Sequence, residues 1–244
     1  MIQLGKSSSL SARLLISTII LVLLTAIGSR TTTAQITQRS EVGFGLGTFN
    51  YTGDLVRSYD FTFSQPAATI FYRANVSKVI SFRASFTAGK LSASDTQSPI
   101  DAFAVKRRAS FDIFLSEVSG VYEYHFLDWR DDIRRLRFTP YLFAGLALFN
   151  ISEVKNKADQ YSTIQLAVPF GGGVKYILNP NYYVALEIGI RKTFFDYLDN
   201  ISGADPAYKT YQYGNKFDYD TYYFLGVTIT RTFYDIPCPT NPYK

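Results

Sequence analysis

Cysteine and histidine are nearly absent from the sequence, which has one of each among 244 residues. One cysteine cannot form an internal disulfide, and one histidine beside it excludes a Cys/His cluster for zinc or iron–sulfur. Charged residues are also sparse, at 18%, whereas Tyr and Phe number 19 and 20. A chain with so many aromatic and so few charged residues is not disordered. We expect no cofactor.

Most of the formal net charge of +5 comes from the N-terminus. Lys6, Arg13 and Arg30 are the only charged residues within 1–34, so the remaining chain is nearly balanced. A balanced surface lacks the basic footprint that phosphate backbones require. We therefore expect no nucleic-acid partner, and no motif indicates a small-molecule substrate.

The N-terminal segment has the organisation of an export signal. An uncharged run over 14–27 follows two basic residues. Its length suits a signal-peptide core of roughly 7–15 residues and is short of the roughly 17–25 that a spanning helix needs. Small residues at Thr32 and Ala34 precede the expected cleavage. We predict a signal peptide over 1–34, with an N-terminal membrane anchor as the alternative.

The rest of the chain alternates with a period of two. Within 80–90, apolar side chains occupy every second position, and Ser81, Arg83 and Ser85 lie between them. Side chains on a strand alternate between two faces, so this pattern predicts β-strands. Each predicted strand reaches the roughly 9–11 residues that a tilted transmembrane strand needs. The eight predicted strands are 41–51, 66–75, 80–90, 110–126, 138–150, 164–178, 182–195 and 221–233.

The connections decide between a soluble sandwich and a membrane barrel. Long links (52–65, 91–109, 151–163, 196–220) alternate with shorter ones (76–79, 127–137, 179–181). Long loops at one end and short turns at the other are typical of outer-membrane barrels. We predict an all-β fold, an eight-stranded antiparallel transmembrane β-barrel of the outer membrane over 35–233. An even strand count puts both termini in the periplasm of a Gram-negative bacterium, and 234–244 is a periplasmic tail.

Aromatic residues near the predicted strand ends suggest a membrane-interface belt, because Tyr and Trp favour the boundary between lipid and water. The alternative is a soluble aromatic core. Pro169 lies in mid-strand, where it removes a ladder donor, and we expect a bulge there. The belt candidates are Tyr51, Tyr72, Tyr122, Tyr124, Phe126, Tyr141, Tyr176, Tyr182, Tyr183, Phe194, Phe195, Tyr223 and Phe233.

The alternation of inward and outward positions along each strand also predicts a polar network inside the barrel. An eight-stranded barrel is just wide enough for side chains to fill, and buried charges there must be paired. A catalytic alternative combines His125 and Glu123 with a serine, but no nucleophile elbow is present. We therefore expect a protein that is not an enzyme. The predicted network residues are Arg73, Arg83, Glu117, Glu123, His125, Lys175, Glu187 and Arg191. Inward glycines, such as those at 43, 45 and 47, are expected to leave room for the long side chains of this network.

Two predicted periplasmic segments carry candidate docking residues. The link 127–137 is long for a periplasmic turn, and 234–244 extends beyond the last strand. Trp and Arg are favoured anchors at protein interfaces, and a thiol can cross-link in an oxidising compartment. A solvated turn and a loose chain end are the alternative. The candidate docking residues are Trp129, Arg130, Arg134, Arg135, Arg137 and Cys238.

Several stretches resemble the PorG-like outer-membrane proteins of the Bacteroidota. They are EVGFGLGTFNYTGDL (41–55), QPAATIFYRANV (65–76), TPYLFAG (139–145), VPFGGGVKY (168–176), EIGIRKTFFDYLDNIS (187–202) and the terminal Cys238-Pro239. They cover most of the chain after 1–34 in the right order. The link 151–163 is shorter than in that family, so a true PorG and a relative with another role both fit.

The resemblance implies a role in the type IX secretion system. PorG-like proteins associate with a periplasmic ring of PorK and PorN, and no catalysis or cofactor accompanies that role. On this reading the barrel is an anchor in outer-membrane lipid, and its docking surface faces the periplasm. The competing hypothesis is a surface adhesin or ligand-binding barrel that acts through extracellular loops, above all the Tyr-rich 196–220.

Overall fold

The computed structural model describes residues 39–53, 55–56, 59–94, 110–127, 136–152, 162–179, 181–194, 198 and 220–234. All of them belong to one compact unit, Thr37–Lys244. The predicted signal peptide and all of the predicted tail except Tyr234 lie outside the described residues. Within the described ranges, no helix is long and apolar enough to cross a membrane.

Eight antiparallel strands form a closed barrel in sequence order, with β1 paired to β8. A short 3-10 helix, Phe61–Phe63, lies between β1 and β2. The predicted fold class is confirmed, although β3 is longer than predicted and β7 ends earlier. The strands are β1 Arg39–Thr52, β2 Gln65–Asn75, β3 Ile80–Ser94, β4 Ser110–His125, β5 Phe138–Ile151, β6 Ile164–Asn179, β7 Tyr182–Thr193 and β8 Thr221–Tyr234.

The register fixes how far the strands tilt. A path of paired residues leaves β1 at Ser40, crosses all the strands and returns to β1 at Asn50, ten positions further along. This displacement is the shear of the barrel, and with eight strands it leaves an interior just wide enough for side chains to fill. The residues on the path are Ala74, Phe82, Tyr122, Ala144, Phe170, Ile190 and Tyr223.

The barrel has two unlike ends, which are named here for what they carry. The terminal end is where β1 begins and β8 ends, and its strands are joined by the connections 76–79, 126–137 and 180–181, of 4, 12 and 2 residues. The loop end carries the connections 53–64, 95–109, 152–163 and 194–220, of 12, 15, 12 and 27 residues. Loop length therefore sorts by parity only in part, because 126–137 is as long as 53–64 and 152–163.

Side chains alternate between the interior and the outer face along every strand, as the period of two predicts. The outer face is apolar, and most of the predicted belt residues lie on it, whereas Phe195 lies outside the described residues. Three of them do not, because the parity of Tyr51, Tyr141 and Tyr183 turns their rings into the interior, where they are buried. Assigning these three to a membrane-interface belt was wrong, since nearness to a strand end does not fix the face.

Pro169 does not cause a bulge, contrary to the prediction. Its pairing with Arg191 of β7 is regular, and the register between β5 and β6 is the same on either side of it. The ladder to β5 instead skips two pairs, those opposite Gly145 and Leu146. The missing N–H of proline thus costs local pairing to one neighbour without shifting the strand. The irregularity of β6 lies between Ile177 and Asn179.

Glycines on the inner face allow large rings to lie flat against the wall. A Cβ on Gly43 would lie 2.2 Å from the ring of Phe71, and one on Gly171 would lie 2.8 Å from the ring of Phe143. The predicted room for long polar side chains is therefore largely occupied by aromatic rings. The guanidinium groups then lie over those rings: Arg83 is 5.0 Å from the centroid of Phe143.

Candidate functional site

A network of ion pairs and hydrogen bonds fills the interior from the terminal end towards the middle of the barrel. All eight residues that the sequence places in this network are buried inside the barrel. They come from five strands, because inward positions of β2, β3, β4, β6 and β7 converge on one narrow space. The network has three tiers along the barrel axis.

Glu123 of β4 is the centre of the first tier. Its carboxylate lies 2.9 Å from Arg73 Nε, 3.1 Å from Arg83 Nε and 2.6 Å from Lys175 Nζ. All four side chains are almost entirely removed from solvent. A carboxylate in such a place is stable only because three cations surround it.

Glu41 and Tyr183 complete this tier from β1 and β7. Arg73 donates to Glu41 at 2.8 Å and to the hydroxyl of Tyr183, which itself donates to Glu41. Neither residue belongs to the network that the sequence predicts. The parity of β1 could have found Glu41, because it shares the inner face with Gly43. Tyr183 could not be separated from its neighbour Tyr182 by residue type.

The second tier joins opposite walls of the barrel. Arg83 of β3 donates two hydrogen bonds to Glu187 of β7, at 2.5 and 3.0 Å. Tyr141 of β5 donates its hydroxyl proton to the same carboxylate at 2.7 Å. Arg83 also belongs to the first tier, so the two tiers form one connected structure.

The third tier is nearer the loop end. Arg191 Nε lies 3.3 Å from Glu117, and the Tyr222 hydroxyl donates to that carboxylate at 2.7 Å. Arg191 also donates to the carbonyl of Gly189 at 2.9 Å. One oxygen of Glu117 has no hydrogen-bond partner in the protein.

His125 caps the network at the terminal end. Its Nε2 is 2.7 Å from Lys175 Nζ and its Nδ1 is 3.2 Å from the carbonyl oxygen of Val79. An ammonium can only donate, so Nε2 accepts and Nδ1 carries the proton that bonds to Val79. This tautomer makes His125 neutral, and it engages both ring nitrogens within the protein.

With His125 neutral, the charges of the network balance. Every buried carboxylate of the network has a buried cation to match it, which is the condition for stable burial of ions. The carboxylates are those of Glu41, Glu117, Glu123 and Glu187, and the cations are Arg73, Arg83, Lys175 and Arg191. Among the described residues, no group of three or more His, Cys, Asp or Glu is placed to hold a metal ion.

An apolar cluster fills the interior at the loop end. The connection after β1 folds inward, so that Leu55, Val56 and Phe63 are buried against rings from the strand walls. Phe49 makes edge-on contacts with Tyr222 and Phe224, with ring centroids 5.7 and 5.9 Å apart. Together with the network, this cluster leaves the described interior filled with side chains.

The candidate docking residues fall mostly outside the described ranges. Trp129, Arg130, Arg134, Arg135 and Cys238 lie outside the described residues, and their placement stays a prediction. The sixth, Arg137, is exposed at the terminal end immediately before β5. Its carbonyl accepts a hydrogen bond from the backbone N–H of Ile177 at 2.7 Å, which fixes that backbone against β6.

The fold is that of eight-stranded outer-membrane barrels. It is similar to Neisserial surface protein A (NspA), at 14% identity and a TM-score of 0.50, over 80% of this chain and 97% of that chain. Ail of Yersinia pestis is similar at 10% identity and a TM-score of 0.45, over 81% and 100%. The outer membrane enzyme PagL is similar at 11% identity and a TM-score of 0.34, over 78% and 97%.

The chain belongs to the family described as "Domain of unknown function (DUF6089)", whose model matches residues 15–241. No curated protein sequence matches the chain. Likeness to the solved barrels at such low identity concerns the fold alone, and one fold can carry many functions. The function has to be argued from the surfaces and the interior of this chain.

Proposed function

We propose that this protein is a non-enzymatic anchor in the outer membrane of a Gram-negative bacterium, with both termini in the periplasm. The observation that carries the proposal is an apolar outer face around a filled interior. Only in lipid is such a face satisfied, because water would be in contact with apolar side chains all round the barrel. Exposed side chains of this face include Phe44, Leu46, Ile70, Phe86, Val118, Leu148, Leu166, Leu186 and Val227.

The filled interior supports an anchor over a pore or an enzyme. Ion pairs occupy the barrel from His125 to Arg191, and the apolar cluster follows. Both nitrogens of His125 have protein partners, so neither is placed to take a proton from a hydroxyl nucleophile. A rigid and chemically inert interior suits a protein that binds its partners at the ends of the barrel.

The partner that we propose is a periplasmic ring of the type IX secretion machinery, of the PorK and PorN kind. The support for this is the resemblance to PorG-like proteins along most of the chain after 1–34. The docking surface that we propose is formed by the 127–137 link, with Arg137 at its described edge. Arg is a favoured interface anchor because it combines charge, planarity and apolar area.

The test is a pull-down of the tagged protein from outer membranes in mild detergent, with co-eluting proteins identified. We expect the wild type to recover the ring proteins and the variant Arg134→Glu/Arg135→Glu/Arg137→Glu to lose them. Lys90→Glu is a matched control, because Lys90 is exposed at the loop end. It should retain the ring.

Two results would overturn parts of this proposal. Full recovery of the ring by the triple variant would show that the 127–137 link is not the docking surface. A wild-type barrel that elutes alone would contradict the secretion role, and deletion within 196–220 would then test the surface-binding alternative. Either result leaves the membrane placement standing, since that rests on the apolar outer face.

A further inference from the structure

We propose that the outer face of β3 to β6 holds one anionic phospholipid of the leaflet at the terminal end. One of its acyl chains lies in a groove in the barrel wall, and its phosphate lies near Lys78 and Arg137. The site rests on the membrane-embedded barrel of the proposed function and does not require the secretion role. It is a binding site for one lipid class rather than general contact with the bilayer.

The groove arises because a small outward side chain on one strand lies between large side chains on the two strands paired with it. Ala144 of β5 pairs with Tyr122 of β4 on one side and with Phe170 of β6 on the other. The rings stand up from the sheet as walls, and the methyl group of Ala144 forms the floor. The depression has a volume of about 590 Å³ and is open on its outer side.

Two outward glycines lie on the strands that form the groove, outside its lining. A Cβ on Gly120 would contact the ring of Phe82, and one on Gly172 would lie 3.0 Å from Leu142. The Tyr122 wall is held in place by an edge-on contact with Phe82, whose ring centroid is 5.6 Å away. The groove is therefore part of the folded wall and does not depend on a mobile segment.

The apolar lining of the groove favours the binding of a hydrocarbon chain. Ile80, Leu142 and Phe170 line it together with the faces of Tyr122 and Tyr124. The groove continues directly into the apolar outer face, so a chain lying in it stays within the lipid phase. Tyr122 and Tyr124 are near the terminal end of β4, where tyrosine hydroxyls meet the headgroup region. A lipid whose headgroup lies at the terminal end fits this polarity.

The charges at the terminal end select an anionic headgroup. Lys78 is exposed two residues before Ile80, and Arg137 is exposed immediately before β5, so they flank the groove at the mouth that Tyr124 marks. Arg231 is also exposed at this end, but it lies on β8 and not beside the groove. Basic residues at a membrane surface attract anionic lipid.

The test measures retention of phosphatidylglycerol and phosphatidylcholine by the purified full-length mature barrel, using native mass spectrometry from detergent. We expect the wild type to retain one phosphatidylglycerol preferentially. Lys78→Glu should weaken that retention at least about fivefold, the factor that corresponds to about 1 kcal/mol per basic residue. Ala144→Phe should weaken retention as well, by filling the floor of the groove.

Matched controls separate the site from general effects. Lys90→Glu reverses an exposed charge at the loop end, and Ala88→Phe adds a ring to an outward alanine of β3 outside the groove. Both should retain phosphatidylglycerol like the wild type. None of these substitutions lies in the 127–137 link, so none of them alters the proposed docking surface for the secretion ring.

The outcomes distinguish this site from the proposed function. The site would be overturned if the wild type retained the two lipids equally. It would also be overturned if Lys78→Glu and Ala144→Phe retained phosphatidylglycerol as well as their controls do. Insertion into liposomes, followed by protection from protease, is measured in parallel. A wild type that fails to insert into liposomes of either lipid would overturn the membrane placement and the lipid site together.

Discussion

Arg83 and Glu187 join opposite walls of the barrel. They lie on β3 and β7, four strands apart in a ring of eight, and two hydrogen bonds of 2.5 and 3.0 Å connect them. The backbone hydrogen bonds of the ladder join each strand only to its two neighbours. A contact across the diameter therefore resists collapse or flattening of the barrel, which ladder hydrogen bonds alone do not.

Removal of both partners of this ion pair should cost less than the sum of the two single removals. Arg83→Met leaves the buried carboxylate of Glu187 without its cation, and we expect a loss of about 3–5 kcal/mol in the free energy of unfolding. The double variant Arg83→Met/Glu187→Leu should lose less than the sum of the single variants. Urea unfolding of the refolded barrel in detergent measures both. Strict additivity would contradict a coupled pair.

Glu123 should be the most sensitive carboxylate of the network. It is within ion-pair distance of three cations, whereas Glu187 contacts one. Glu123→Gln keeps the shape but leaves an excess positive charge in the interior, so its loss of unfolding free energy should exceed that of Glu187→Gln. Adding Lys175→Met to Glu123→Gln restores the balance of charge and should recover part of the loss. A smaller effect of Glu123→Gln than of Glu187→Gln would contradict this ranking.

Gly145 should not tolerate a side chain, although Gly120 should. A Cβ on Gly145 would lie 2.1 Å from the backbone oxygen of Gly120, and the backbone of a paired strand cannot move away. On Gly120 a Cβ would lie 3.4 Å from the ring of Phe82, an ordinary contact. We expect Gly145→Ala to lose about 1–3 kcal/mol of unfolding free energy and Gly120→Ala to stay near the wild type. Equal urea midpoints for Gly145→Ala and Gly120→Ala would contradict the close approach of Gly145 to the backbone of β4.

The barrel should not conduct ions. The polar network closes its interior from the terminal end, and the cluster around Phe49 and Phe63 closes it from the loop end. An eight-stranded barrel has no room for water beside such side chains. Planar bilayers that contain the purified barrel should show no stable conductance steps. Regular steps of one size would contradict a filled interior.

The sequence is sufficient for the strands and their faces, because period two is a local property. The interior arrangement depends on more. Which charges meet is set by the shear, and that follows from the register of all eight pairs together, which no single strand reveals. Tyr141 and Tyr183 illustrate the division. Residue type and nearness to a strand end do not separate them from belt tyrosines, but parity places them inside, and their carboxylate partners Glu187 and Glu41 follow only from the register.

Orientation in the membrane is the remaining prediction, and a pair of cysteine variants checks it. The natural Cys238 is first replaced by serine, so that each introduced thiol is the only one. Lys90 and Arg137 are exposed at opposite ends of the barrel. With both termini in the periplasm, Lys90→Cys should react with a membrane-impermeant maleimide on intact cells. Arg137→Cys should react only after the outer membrane is opened. The reverse pattern would place the terminal end outside the cell, where a periplasmic ring cannot reach it, and would overturn the docking proposal together with the orientation.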